Sequence, residues 1–243
     1  MATATITLPT SKEILEQLKA LGSPSIKKVH AAHGAREPFY GVKVGDMKPI
    51  QKKVKKDYKL SLELFDSGIS DAMYLAGLIA DEDKMTKKDL QHWAEKASWY
   101  MISEYTVAWV ASESHYGTEL ALEWIESPKE NIACAGWATL GCIASLKKDE
   151  DLDLKLYKSL IDRVTREIHT APNRVRYCMN TFVIQAGGYI APLTAEARKA
   201  GTKIGKVHVD VGDTACNVPM INDYIKKMEA RGPLGKKRKT VRC

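Results

Sequence analysis

Apolar residues recur along this chain at helical spacing. Behind Thr10-x-x-Glu13, which reads as a capping box, Ile14, Leu15, Leu18 and Leu21 keep to one face, and Gly22 stops the run. Residues 25–33 form a second short helix closed by Gly34. In the next, Met47, Ile50 and Val54 share the apolar face, Lys48, Lys52, Lys55, Lys56 and Lys59 occupy the other, and Asp46 is placed to cap the start. Residues 60–65 form a short helix ending at Ser67-Gly68. The stretch 71–80 (DAMYLAGLIA) is apolar nearly all round, which predicts a buried helix. Thr86-x-x-Asp89 resembles another cap, followed by Leu90, Trp93, Ala94 and Ala97. Further helices are predicted over 102–112, 118–125, 131–146, 152–169, 173–190, 194–204 and 219–230. Only 206–211 (KVHVDV) alternates with period two and reads as strand-like.

A dozen or so helices with almost no strand make an all-α chain. Apolar helices recur in pairs at intervals of roughly 35–45 residues, the spacing of an α-solenoid, with a compact helical bundle as the alternative. The predicted organisation is one helical-repeat domain over 1–234 and a basic tail over 235–243. A solenoid of helix pairs has a concave face, and a concave face lined with lysine suits a nucleic-acid duplex.

Composition sharpens this. The 243 residues carry a formal net charge of +7, which favours an anionic partner, most commonly nucleic acid. No apolar run reaches the roughly 18 residues needed to span a bilayer, so no membrane role is expected. The start, MATATITLPTSKEIL, lacks the basic-then-apolar order of a signal peptide. Five cysteines (Cys134, Cys142, Cys178, Cys216, Cys243) without CxxC spacing point to a reducing cytoplasm and away from a disulfide frame or structural zinc. His115, Glu119 and Glu123 share a face without a HExxH pattern, so no metal is expected. Gly187-Gly188 follows a helix and lacks the rest of a dinucleotide fingerprint, so no cofactor is expected either.

The candidate phosphate-binding residues are Lys43, Lys48, Lys52, Lys55 and Lys56 around the third helix, and Lys236, Lys237, Arg238 and Lys239 in the tail, where Arg242 adds charge. HTAPNRVRYCMN places Arg174 and Arg176 in the first turn after Pro172, near His169, Asn173 and Asn180. Exposed amides at a helix start favour a phosphate; a loop that packs repeat to repeat has the same composition.

FYGVKVGDMKPIQKK resembles the opening segment of the helical-repeat DNA alkylation-repair proteins, where an aromatic-Gly-Val turn leads into a basic helix. LSLELFDSGISDAMYLAGLIAD, LQHWAEKASWYMISEYTVAWVASES and FVIQAGGYIAPL are similar to later blocks of that family, in order, over roughly residues 10 to 200. The resemblance implies a HEAT-like solenoid gripping double-stranded or structured DNA through its phosphate backbone; a monomer is expected. It implies a glycosylase, excising N-alkylated (3-methyl or 7-methyl) purines without flipping the base into a deep pocket. The family's catalytic tryptophan, aspartate, arginine and second tryptophan align with Glu104, Ala108, Gly136 and Tyr189, so only the last keeps its aromatic character. Glu104 is then the candidate catalytic carboxylate, with Tyr105, Trp109, Trp137 and Tyr189 the candidate aromatic cleft. The sequence after residue 206 departs from the active glycosylases and points to a distinct branch. The alternatives are a non-catalytic binder of branched or damaged DNA and a protein-binding scaffold.

Overall fold

A computed structural model describes residues 8–242; residues 1–7 and Cys243 lie outside it. Its helices are α1 (Ser11–Leu21), α2 (Pro24–Ala32), α3 (Val44–Val54), α4 (Tyr58–Asp66), α5 (Ser70–Ile79) and α6 (Lys87–Lys96). A π-helical turn, Met101–Val107, then runs into α7 (Ala108–Glu113). The series continues with α8 (Gly117–Trp124), α9 (Glu130–Leu146), α10 (Leu154–Glu167), α11 (Asn173–Tyr189), α12 (Thr194–Ile204) and α13 (Ile221–Glu229). No strand occurs among the described residues, and no helix there is long and apolar enough to cross a membrane.

Side-chain caps fix four of the helix starts. The capping boxes of Thr10 with Glu13 and Thr86 with Asp89 are both closed. Asp57 and Asp153 cap α4 and α10 through their carboxylates. Asp46 does not cap α3: the helix begins two residues earlier, at Val44, and Asp46 sits in its first turn, where its charge faces the positive helix end. What fixes the entry to α3 is the turn before it. The amides of Tyr40, Gly41 and Val42 donate to the buried Asp71 carboxylate at 2.6, 3.3 and 2.8 Å. Gly41 sits at φ +78°, and a Cβ there would lie 2.5 Å from the Lys27 nitrogen, so only glycine fits.

Helix pairs stack so that their second members, α3, α5, the π turn with α7, α9, α11 and α13, form a continuous layer. All of α5 is buried, as its all-round apolar pattern predicts. α9 joins the two halves of the core: Ile132, Ala135 and Cys142 pack toward the first, and Cys134, Trp137 and Leu140 toward the second. The stretch 206–211 is not a strand. Its alternation is real, with Val207 buried and Lys206, His208 and Asp210 exposed, but no neighbouring strand pairs with it. The Asn173 side chain takes that place, bonding both the carbonyl and the amide of Asp210 at 2.8 Å.

Beyond α13 the chain turns back across the stack. The Gly235 amide donates to Gly188 O in α11. Lys237 Nζ donates to Tyr189 O (2.6 Å) and Ala144 O (2.8 Å), at the ends of α11 and α9, and pairs with Asp149. The Arg238 amide donates to Ser145 O, also in the last turn of α9. Thr240 and Val241 donate to Glu113, the last residue of α7. Arg242 reaches Ala80 O just beyond α5 (2.6 Å) and pairs with Glu82 and Glu113 at 2.7 and 2.9 Å. The segment therefore visits the carboxyl ends of α11, α9, α7 and α5 in turn. Those ends carry unpaired carbonyls and the negative pole of the helix dipole, where a partly buried cation contributes up to about 2 kcal/mol. The basic tail is thus a strap rather than a free arm.

Candidate nucleic-acid interface

The π turn carries two consecutive residues of unlike burial, Glu104 inside and Tyr105 at the surface. Glu104 points in: its side chain is 7% exposed, and Arg174 grips both oxygens, Nε to Oε1 at 2.5 Å and Nη2 to Oε2 at 2.7 Å. The guanidinium lies between the rings of Tyr100 and Tyr177, 4.2 and 4.1 Å from their centroids. Burial pushes the Glu104 carboxyl upward, and the Arg174 pair offsets part of that. Cys134 and Cys178 adjoin the same carboxylate, all three within 4.8 Å of one another. Burial and the neighbouring Cys134 thiol push Cys178 well above the usual thiol range. A metal cation entering this cluster meets the Arg174 charge, and both Glu104 oxygens are already taken.

The pairing bears directly on the expected role of Glu104 as a catalytic carboxylate. A carboxylate that stabilises a positive charge developing on a sugar must present a free lone pair to it. Here a fixed cation already bonds one lone pair on each oxygen and neutralises the charge. Ala108 is buried, and Gly136 packs against α8, where an added Cβ would lie 2.8 Å from Ile125 N, so no side chain projects into a cleft from either position.

Trp109 and Trp137 are core residues rather than cleft residues. Trp137 is fully buried against Phe182, and Trp109 packs between Tyr74 and Tyr105. Tyr105 is 38% exposed and, with Tyr189, lines a cleft of about 560 Å³. Tyr177 and Tyr224 complete its aromatic lining. The reading from sequence missed both. Tyr224 had a signal: Ile221 and Ile225 already define the packed face of α13, leaving that tyrosine beside it.

The lysines in and around α3 divide. Lys52, Lys55 and Lys56 line an open trough of about 980 Å³ together with Lys147, Arg238 and Lys239. Its two carboxylates, Glu82 and Glu113, are answered by Lys56 and Arg242. Lys43 and Lys48 are exposed on the flank and line neither cavity. Lys236 is exposed at the tyrosine cleft, and Arg238 lines both cleft and trough.

The expected phosphate site at the start of α11 is filled from within the protein. The Arg174 amide donates to Glu130 at 2.6 Å. Arg176 donates to Ala171 O and His208 O, Asn180 to Pro219 O, and His169 contacts Ile204 O. These residues tie one repeat to the next, so Arg174 and Arg176 do not share the trough with the α3 lysines. Lys237 is likewise spent on helix ends.

This arrangement has counterparts among known proteins. A solved structure superposes with a TM-score of 0.89 and 35% sequence identity, covering 97% of this chain and 100% of its own. It is described as a new family of proteins related to the HEAT-like repeat DNA glycosylases with affinity for branched DNA structures. The uncharacterized proteins Lmo0209 of Listeria monocytogenes and Lin0241 of Listeria innocua are each 31% identical over 228 residues, 91% of this chain and 98% of theirs. The family model for DNA alkylation repair enzymes matches residues 14–196. With most of its length matched, its helices stacked as a HEAT-like solenoid and its relatives aligned end to end, the chain belongs to the DNA alkylation repair enzyme family.

Proposed function

We propose that this protein binds branched DNA through phosphate contacts in the trough of Lys52, Lys55, Lys147, Arg238 and Lys239, and that it does not cleave the glycosidic bond. The observation that carries the second half is the bidentate Arg174–Glu104 pair, which occupies the best-placed carboxylate. The first half is supported by a run of exposed cations drawn from three separate segments, and by the branched-DNA affinity described for the similar structure. Phosphate contacts made this way discriminate by shape and charge density, not by base sequence.

Two assays test the reading. Gel shifts with a four-way junction and a linear duplex of equal length, titrated with salt, are expected to favour the junction and to weaken steeply as salt rises. Salt-independent or duplex-preferring binding overturns the first half. Incubation with methylated duplex is expected to release neither 3-methyladenine nor 7-methylguanine. Release abolished by Glu104→Gln overturns the second half.

A further inference from the structure

The cleft beside the trough is built differently from it. Its four tyrosines include the two most exposed in the protein, Tyr105 (38%) and Tyr224 (40%). Thr181 and Gln185 also line it, and neither their side chains nor the four phenol hydroxyls take a protein partner among the described residues. Gly141 makes room for Gln185: a Cβ there would lie 1.8 Å from Gln185 Oε1. Cations stand at the cleft, with Arg231, Lys236 and Arg238 exposed, and no carboxylate among the described residues lines it. At about 560 Å³ it falls within the range of small-ligand pockets.

Aromatic rings in a lining without carboxylates, uncommitted amide and hydroxyl groups, and a cationic border together fit a flat heteroaromatic ring that carries a phosphate. Aromatic side chains stack nucleobases whatever their identity, while a border of lysine and arginine holds the backbone. A paired base has no free face to offer; an unpaired one at a branch point does. Arg238 borders both cavities, so a phosphate chain lying in the trough leads directly to the cleft.

We propose that the tyrosine cleft receives an unpaired nucleotide at the branch point of the bound DNA. The proposal rests on the DNA-binding reading above and names what that reading selects.

The test uses the full chain and two four-way junctions with identical arms, one fully paired and one carrying three unpaired nucleotides at the crossing. A 2-aminopurine among the unpaired positions reports stacking. The unpaired junction is expected to bind about tenfold more tightly and to lose 2-aminopurine fluorescence on binding. Tyr105→Ala and Tyr224→Ala are each expected to weaken binding of the unpaired junction about 5- to 100-fold and to leave the paired junction unchanged. Tyr105→Phe, which keeps the ring, is expected to retain the quench. Both tyrosines are well exposed, and circular dichroism checks that the variants remain folded.

Equal affinity for the two junctions with no effect of either alanine, while Lys52→Glu with Lys55→Glu weakens both, overturns the cleft assignment and leaves the DNA reading standing. Failure to bind either junction overturns both. If deoxyadenosine monophosphate competes for the cleft while the junction shows no quench, the ligand is a free nucleotide, and the assignment to a DNA branch falls.

Discussion

Arg174 does three things from one side chain. It neutralises Glu104, fills the gap between two tyrosine rings, and ties α11 to the π turn 70 residues earlier. Removing it leaves a buried carboxylate without its partner. Arg174→Ala is therefore expected to cost about 3–5 kcal/mol, read as a fall in the urea midpoint. Glu104→Gln, which keeps the shape and removes the charge, is expected to cost clearly less. A smaller loss, about 1 kcal/mol, is expected for Tyr157→Phe, whose hydroxyl donates to Leu140 O at 2.8 Å inside the core. Glu104 was legible from the sequence because resemblance picked out its position. Its partner was not, because nothing in a linear reading pairs two residues 70 apart on different repeats. The same limit hid the fate of Trp109 and Trp137: a tryptophan at helical spacing has the same pattern whether it faces a cleft or a core.

The carboxy-terminal strap shows what composition alone misleads about. A run of lysines and arginines after the last helix has the charge pattern of a solvated arm. Two of its five cationic side chains, Lys237 and Arg242, are directed at helix ends instead. The arginine at 242 has a side chain only 7% exposed, and Val241 beside it is 3% exposed. Removing residues 235–243 is expected to lower the thermal midpoint by roughly 6–20 °C, as three or more kcal/mol of capping and pairing disappear. Arg242→Ala alone is expected to give a large part of that loss, since Glu82 and Glu113 share it. Arg238→Ala, whose backbone carries the structural contact and whose side chain is exposed, is expected to spare stability and weaken DNA binding. The helices themselves were far easier to read. Capping boxes, glycine stops and apolar periodicity act within a few residues, so their information is local. The stretch 206–211 is instructive: period-two alternation correctly marked a half-buried extended segment, but a strand needs a partner that sequence spacing does not supply.

At the scale of the whole molecule, net charge matters less than where it is left unpaired. Of the cations proposed for phosphate contact, Lys52, Lys55, Lys56, Arg238 and Lys239 converge on one trough, Lys43, Lys48 and Lys236 lie outside it, and Arg174, Arg176 and Lys237 are absorbed by the fold. Reversing Lys52 and Lys55 to glutamate is expected to weaken junction binding uniformly across sequences. It is also expected to reduce the slope of log K against log salt by about 2, roughly one unit for each phosphate no longer neutralised. The same double variant is expected to leave the thermal midpoint nearly unchanged, because both side chains are exposed and neither makes an ion pair among the described residues. The solenoid itself could be anticipated from helix pairs at a regular interval. The direction its cationic face takes could not, because that depends on how each pair rotates against the next.

The strap also sets an order on biosynthesis. Arg242 bonds to a carbonyl 162 positions earlier, so α5, α7, α9 and α11 are all translated before the segment that ties their ends together emerges from the ribosome. The repeats can assemble by neighbour packing as they appear, yet the nascent stack waits with its carboxyl ends uncapped. A peptide corresponding to residues 235–242, supplied in trans to a chain shortened at Leu234, should then complete the protein as a separate piece.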